Sequence, residues 1–293
     1  MRLMAAAAAL AAVSLVACGS VGSSHETNPP AVPTPTAALA RWAAFPAAQK
    51  PRLIVWYSDL ETTGGGFTGG DAKIAALCNK YSLSTTLPST LPARATATWT
   101  DGTTAIYGAI SAADAFTALV KSQPAQTSDM CGGVPPLQIT TVSFGTASFR
   151  TDRGGAQMSA WLFGSPGVIG MLKYPALSPS AFWKAGVAGP GSLNGAEISP
   201  DGLVLTVGFV GAAPASTGVC GADYAPVTAE SSAAVAVAVQ EIARSVPNGP
   251  VVCDLVGHAR SLTITLAAPL GGRVVVDAEG NAAPVCPTFK PEC

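Results

Sequence analysis

The chain has 293 residues, of which 48% are hydrophobic and only 11% are charged, and its formal net charge is −1. Soluble domains average about 25% charged residues, so this chain is unusually uncharged. We exclude nucleic acid as an expected partner, because the sequence has no basic stretch to pair with phosphates. The length is enough for one large domain or two small ones.

The first residues have the pattern of an export signal. Arg2 supplies a positive charge, and Leu3 to Val16 form an apolar stretch that is too short to span a bilayer. The stretch ends in Leu-Val-Ala-Cys-Gly at residues 15–19, which resembles the lipobox of bacterial lipoprotein precursors. The resemblance implies cleavage after residues 1–17, lipid on Cys18 and a place on the extracytoplasmic face of the cell membrane. The alternative is an ordinary signal peptide whose cleavage site adjoins a cysteine.

Residues 18–37 have the composition of a tether. Ser, Gly, Thr and Pro dominate this segment, and such a composition cannot bury a hydrophobic face. Its proline-rich half favours extended backbone of about 3 Å per residue. We therefore expect a lipidated cysteine and a semi-stiff tether that hold the folded part away from the lipid headgroups.

Residues 38–195 contain both helix and strand patterns, which predicts an α+β part. Ser111 is a predicted N-cap, because Asp114 follows three positions later as in a capping box. Gly and Pro are frequent over residues 165–195, which predicts a long irregular connection. The other predicted elements are a helix over 38–49, a strand over 52–58, a helix that Asp71 caps and that runs to about residue 80, a strand over 96–100 before an Asp101-Gly102 turn, a helix over 111–120, one or two strands over 137–151 and a strand over 157–164.

Residues 196–293 are predicted to be mainly strands. Apolar and polar residues alternate over 261–267, as in a sheet with one solvated face. This part indicates an antiparallel sheet or small sandwich, so we predict an α+β, mainly antiparallel and disulfide-stapled chain. A domain boundary between residues 195 and 196 is predicted, with the alternative that both parts share one core. The predicted strands cover residues 203–210, 233–242, 251–256, 261–267 and 273–277.

Six cysteines lie beyond Cys18. An even number in an exported chain predicts disulfides, because the compartment is oxidising. The sequence leaves all 15 connectivities of six cysteines open. Local closure in chain order is the simplest of them and pairs Cys78 with Cys131, Cys220 with Cys253, and Cys286 with Cys293. Metal binding is the alternative, but there is no C-x-x-C pair, so we expect no metal.

Two stretches resemble a pattern in uncharacterised secreted proteins of actinobacteria. The first contains Phe149-Arg-Thr-Asp-Arg-Gly154 and Ala160-Trp-Leu-Phe163. The second runs from Asp201-Gly202 through Cys220-Gly-Ala-Asp-Tyr224 to Pro269-Leu-Gly-Gly-Arg273. The resemblance implies this lineage and supports the pairing of Cys220 with Cys253, and it implies no catalytic residue.

A glycine-rich loop and the acids around it are candidate ligand sites. Residues 64–69 fit G-x-G-x-x-G, but a dinucleotide site needs an acid about 20 positions later, and residues 78–92 contain no Asp or Glu. We therefore expect a surface loop and no cofactor. Asp59, Glu61 and Asp71 lie on either side of this loop, and solvated loop acids are a simpler interpretation than a calcium site.

Hydrolase chemistry has little support in the sequence. His258, predicted to lie in an exposed turn, is the only histidine beyond the tether, and no G-x-S-x-G is present. A glycosidase needs only two carboxylates, so this class stays open. The acids available for such a pair are Asp152, Glu197, Asp201, Asp223, Glu230 and Asp254.

Arg150, Asp152 and Arg153 form the one dense charged cluster of the sequence. It is a candidate site for an anion or a partner, and an ion-paired strand end is the simpler interpretation. Taken together, the sequence predicts a membrane-anchored extracytoplasmic lipoprotein, more simply a non-enzymatic module than an enzyme, which binds an envelope ligand or protein or has a structural role. The alternatives are a carboxylate-dependent extracellular hydrolase and a carrier of hydrophobic ligands.

Overall fold

The computed structural model describes residues 34–57, 60, 62–122, 129–183, 191–242, 253 and 256–286. These residues confirm the α+β, mainly antiparallel class. The helices are α1 Pro35–Trp42, α2 Gly70–Leu77 and α3 Ala112–Val120. The strands are β1 Gly66–Phe67, β2 Tyr81–Leu83, β3 Ala95–Trp99, β4 Thr104–Tyr107, β5 Leu137–Ile139, β6 Thr141–Thr151, β7 Gly154–Gly164, β8 Val168–Ile169, β9 Met171–Pro175, β10 Leu193–Ile198, β11 Val204–Gly211, β12 Tyr224–Glu230, β13 Ala234–Glu241, β14 His258–Thr265, β15 Val274–Asp277 and β16 Val285–Cys286.

The larger sheet of the N-terminal part has β7 at its centre. On one side, β6 pairs with β7 antiparallel over the whole length of both strands. On the other side, β3 pairs with the first half of β7 and β9 with the second half, and β4 extends the sheet from β3. Side chains of a strand alternate between faces, so β7 supplies two cores. Met158 packs into one cluster with Phe149, whereas Trp161 and Phe163 pack into another.

Two helices cover the Trp161 face of this sheet. The predicted start of α3 is confirmed, because the Ser111 hydroxyl accepts a hydrogen bond from Asp114 N at 3.1 Å. Small residues such as Ala76 in α2 and Ala115 in α3 let both helices approach the sheet closely. The prediction that Asp71 caps α2 is wrong. Gly69 is the N-cap and Asp71 lies in the first turn, where its carboxylate faces the positive end of the helix.

The C-terminal strands form a sandwich. Its four-stranded sheet has the order β14-β11-β10-β16, and its three-stranded sheet has the order β12-β13-β15. Leu205 and Val207 of the first sheet pack against Val235 and Val275 of the second. Pairing within the sheets is mainly antiparallel, but β10 with β16 and β13 with β15 are parallel. Helix α1 then covers the outer face of the three-stranded sheet, with Trp42 fully buried.

The predicted strand over residues 52–58 is wrong. Within its described part, Ile54 bridges Phe182 in parallel and Trp56 bridges Thr151 antiparallel, so no ladder forms. The segment is apolar because it is buried on both sides. Ile54 contacts the Met158 cluster, and Val55 contacts the cluster beneath α1.

Two further predictions of local structure need correction. The predicted irregular connection over 165–195 contains β9, which pairs with β7 although glycine and proline flank it. His258, predicted to lie in a turn, begins β14 and pairs with Gly211. The strand predicted over 251–256 falls mostly outside the described residues.

Two of the predicted disulfides are confirmed. Cys78 bonds Cys131, and Cys220 bonds Cys253. Cys286 is also disulfide-bonded, and its predicted partner, Cys293, lies outside the described residues.

The described residues belong to one compact unit. The cluster beneath α1 contains residues from both sides of residue 195, including Val55 and Ala236. The boundary between 195 and 196 stays a prediction of how the chain divides.

Candidate functional site

The charged cluster predicted at Arg150, Asp152 and Arg153 is divided among different partners. Asp152 is 3% exposed, and its carboxylate accepts a hydrogen bond from the Arg52 guanidinium at 2.6 Å. Its second oxygen accepts from Val55 N at 3.2 Å. The pair is hydrogen-bonded on both members, as a buried charge requires.

The two arginines beside Asp152 lie elsewhere. Arg153 stacks over the Trp99 ring with its guanidinium carbon 4.3 Å from the ring centre, and it pairs with Asp101 at 2.9 Å. Arg150 lies 5.9 Å from the ring centre of Tyr57. The structure therefore shows one buried ion pair and two separate cation–aromatic contacts, and anion binding at these residues stays a prediction.

Arg52 connects segments that are distant in sequence. Besides Asp152, its Nε donates to Gly272 O at 2.7 Å, and its guanidinium lies over the Phe45 ring at 4.8 Å. Its own carbonyl accepts from the Tyr107 hydroxyl at 2.8 Å. These contacts tie the large N-terminal sheet to a loop of the sandwich, so we assign the pair a structural role.

Asp201 and Glu230, which were considered for a hydrolase, serve local structure. Asp201 accepts from the Ser199 hydroxyl at 2.5 Å and from Leu203 N at 3.1 Å in the turn before β11. These hydrogen bonds hold the pKa of Asp201 below its ordinary value. Glu230 pairs with Arg273 at 2.7 Å. Asp254 lies outside the described residues.

Metal ligands do not gather in the part of the chain that the structure describes. No group of three or more His, Cys, Asp or Glu residues is arranged there to hold a metal ion. Two of the acids considered for calcium, Asp59 and Glu61, lie outside that part. In the glycine-rich segment, which was predicted to be a surface loop, Gly66–Phe67 forms the short strand β1 and pairs with β8.

One end of the sandwich has features of an interaction site that the sequence did not predict. The disulfide Cys220–Cys253 ties together the loop between β11 and β12 and the chain that leads into β14. We call residues 210–224, 242 and 256–260 the disulfide end. It contains a cleft of about 360 Å³. The cleft is lined by Ala212, Ala213, Thr217, Gly218, Val219, Cys220, Gly221, Val256 and His258.

Arg260 and Tyr224 hold the loop of the disulfide end in place. The Arg260 guanidinium donates to Ala212 O at 2.6 Å and to Ala222 O at 3.0 Å, and so bridges both ends of the loop. It also lies 5.3 Å from the Tyr224 ring centre. The Tyr224 hydroxyl accepts from Ala212 N at 2.9 Å, and its ring packs edge-on against Phe209.

The loop also satisfies its own backbone. Ala222 N donates to Ala213 O at 2.7 Å, and Ala215 N donates to the Asp223 carboxylate at 3.2 Å. A short 3₁₀ turn over Ala215–Thr217 adds further internal bonds. A Cβ atom at Gly221 would lie 2.1 Å from Pro214 O, so only glycine permits this close approach.

Aliphatic side chains are exposed around this ordered loop. Val210 is 61% exposed, Val219 47%, Ile242 50% and Val256 58%. A Cβ atom at Gly257 would lie 2.4 Å from a Val210 methyl carbon, so the chain that carries Val256 passes directly beside Val210. A hydrogen-bonded loop that leaves several neighbouring aliphatic side chains exposed is a candidate contact surface.

The opposite end of the sandwich is built differently. We call residues 230–232 and 267–273 the closed end. Its cleft of about 520 Å³ contains the Glu230–Arg273 pair, in which the side chain of Arg273 is only 9% exposed. Arg273 also donates to Pro269 O and Leu270 O, and Glu230 accepts from Ala267 N at 2.8 Å.

Partners of the Glu230 carboxylate set its protonation. Burial alone raises the pKa of this carboxyl. The hydrogen bonds from Ala267 N and Arg273, with the charge of Arg273, outweigh burial and hold the pKa below its ordinary value. This acid is therefore ionised and engaged, which suits a structural role.

Sequence reasoning missed the disulfide end for an identifiable reason. Cys220 was paired with Cys253, but His258 was considered apart from that pair. The predicted disulfide was the available signal that the two loops meet at one end.

Among the described residues, no helix combines the length and the apolar character needed to cross a bilayer. The predicted lipidation site, Cys18, lies outside those residues. No protein-family model, curated protein or solved structure shows significant similarity to the chain.

Proposed function

We propose that this protein is an extracytoplasmic lipoprotein, held to the outer face of a cell membrane by lipid on Cys18. Its folded part acts as a non-enzymatic binding module of the envelope. The lipobox-like residues 15–19, the tether-like composition of residues 18–33 and the even cysteine count beyond Cys18 support export and anchoring.

The proposed binding role rests on the structure of the disulfide end. Its loop is ordered by Arg260, Tyr224 and a disulfide, and yet it leaves Val219 and Val256 exposed around a cleft. Exposing apolar side chains costs solubility, and it is useful where a second surface covers them. The described acids nearby serve the loop itself, which favours binding over catalysis.

Substitution of the anchor residue tests this proposal. In a bacterial host that processes lipoproteins, we expect the wild-type chain to be recovered from the membrane with lipid on Cys18 at its new N-terminus. Cys18→Ser should accumulate as unprocessed precursor or be released. Mass spectrometry of the N-terminal peptide and membrane fractionation measure both outcomes.

Ser23→Ala, in the tether, is the matched control and should behave as wild type. If processed Cys18→Ser stayed in the membrane fraction as completely as this control, the lipid anchor would be refuted. Far-UV circular dichroism of both variants checks that the fold is intact.

A further inference from the structure

We propose that the disulfide end rests on the lipid bilayer, with Val210, Val219 and Val256 in the boundary between headgroups and acyl chains. The inference rests on the proposed lipid anchor and names the surface and the partner of the module. It concerns contact with the same membrane that holds the anchor.

Three separate stretches of chain bring aliphatic side chains to this end. Val210 comes from the end of β11, Val219 from the loop before β12, and Val256 from the chain before β14. Each side chain is about half exposed or more. Aliphatic residues that project from clamped loops can enter a membrane interface without reorganising the fold.

The backbone of the loop is suited to a nonpolar environment. In lipid, a peptide group without a hydrogen bond costs several kcal/mol, so chain that enters it must satisfy its own polar groups. Here the backbone N–H groups of Ala212, Ala215 and Ala222 all donate hydrogen bonds within the disulfide end. The Arg260 guanidinium donates hydrogen bonds to the carbonyls of Ala212 and Ala222. A protein partner could hydrogen-bond to open backbone groups itself, so it would not require the loop to satisfy them internally. The internal hydrogen bonds therefore favour lipid as the partner.

Among the described residues of the disulfide end, the positive charge of Arg260 is balanced by the negative charge of Asp223. Arg260 lies 3.9 Å from the carboxylate of Asp223, and among the described residues that line the cleft, His258 is the only ionisable one. Binding to anionic headgroups by charge needs a cluster of basic residues, and the described residues here contain none. The contact is therefore apolar, and it should be insensitive to salt.

The anchor makes a small apolar surface sufficient. Residues 18–33 reach about 50 Å when extended at about 3 Å per residue. A lipid on Cys18 would thus keep the folded part close to the bilayer at an effective concentration of about a millimolar. Under that condition, a few valines can hold one end against the surface without binding lipid strongly on their own.

Quenching by brominated lipids tests the contact. The full, lipidated chain is reconstituted into vesicles of phosphatidylcholine and phosphatidylglycerol whose acyl chains carry bromine near the headgroup. Val219→Trp places a fluorescent reporter at the disulfide end. Val204→Trp is the matched control, because Val204 is 37% exposed and lies at the other end of β11.

After subtraction of the wild-type signal, we expect quenching of the reporter in Val219→Trp to be about twofold greater than in Val204→Trp, at both low and high salt. Equal quenching in vesicles to which the chain stays bound would overturn the docking proposal and leave the anchor standing. Loss of the contrast at high salt would also overturn it. Failure of the wild-type chain to float with the vesicles would overturn both.

A second reporter position guards against misfolding of one variant. Val256→Trp should show the same contrast with Val204→Trp. The alternative occupant is a protein. Shielding of the added tryptophan from acrylamide in isolated envelopes, without bromolipid quenching in vesicles, would show a protein partner and overturn the lipid contact.

Discussion

Both ends of the C-terminal sandwich contain an arginine that faces a carboxylate, but the loops around the two pairs differ. At each end, a partly buried arginine donates to loop carbonyls and faces a carboxylate. At the closed end, Arg273 contacts Glu230 at 2.7 Å. At the disulfide end, Arg260 lies 3.9 Å from Asp223, whose side chain is 59% exposed.

The difference lies in what the loops carry. The closed end surrounds its ion pair with backbone groups, so that the charge is satisfied and the side chain of Arg273 is only 9% exposed. The disulfide end is held by a covalent bond and by Arg260, and its aliphatic side chains point outward. Structure at one end stabilises the sandwich, and structure at the other presents a surface.

Removal of the Cys220–Cys253 disulfide should have the largest effect. The two cysteines are 33 residues apart, and a loop of that length predicts a loss of about 3–4 kcal/mol in the free energy of unfolding. Urea unfolding of Cys220→Ser with Cys253→Ser measures it. Arg260 should still hold the loop, so hydrogen exchange at Ala222 N should rise only as global stability falls. Selective exchange there would instead show that the disulfide alone orders this end.

Arg273→Met should cost about 2–3 kcal/mol, because it leaves Glu230 and two or more loop carbonyls without their donor. Arg260→Met should cost less, about 1–2 kcal/mol, since it removes two hydrogen bonds and only a distant carboxylate. Denaturant unfolding compares them, and a double-mutant cycle with Glu230→Gln isolates the pair. If Arg273→Met and Arg260→Met lowered the free energy of unfolding equally, the proposed difference between the two ends would be wrong.

Acid should remove part of the stability of the closed end. The pKa of Glu230 in the folded chain is below its ordinary value of 4.5, so its ionised form stabilises the fold above that pH. This contribution is lost as the pH falls through the folded-state pKa. Unfolding of wild type and Glu230→Gln between about pH 6 and about pH 3 should therefore show a difference that shrinks in acid. A difference that stayed constant would mean that charge at Glu230 has no role.

Features that depend on neighbouring residues could be predicted from the sequence. The Ser111 cap of α3 and the strand alternation of β14 are local patterns, and both are found in the structure. Local closure in chain order was the simplest of the connectivities left open, and its pairs Cys78–Cys131 and Cys220–Cys253 are found in the structure. Strand β12 was missed because it contains Pro226, which a central strand would not tolerate. β12 is an edge strand, where proline is acceptable.

Features that depend on distant residues could not be predicted. Asp152 stands beside two arginines in the sequence, yet its partner is Arg52, 100 positions away. Whether a given valine is buried also depends on residues that are distant in the sequence. Val207 and Val210 lie on opposite faces of one strand because side chains alternate, and only the position of the second sheet decides which of the two faces is buried.

The exposed valines should matter least for stability, and this is the sharpest test of the comparison. Val219→Ser and Val256→Ser should each change the free energy of unfolding by less than about 0.5 kcal/mol, because these side chains bury little surface. Val207→Ser, fully buried in the same sandwich, is the control and should cost about 2–4 kcal/mol. Urea unfolding of the three variants decides it. If the exposed valines cost as much as Val207, they would belong to the core of the loop. If they cost little, the fold does not depend on their apolar character, as the proposed contact surface requires.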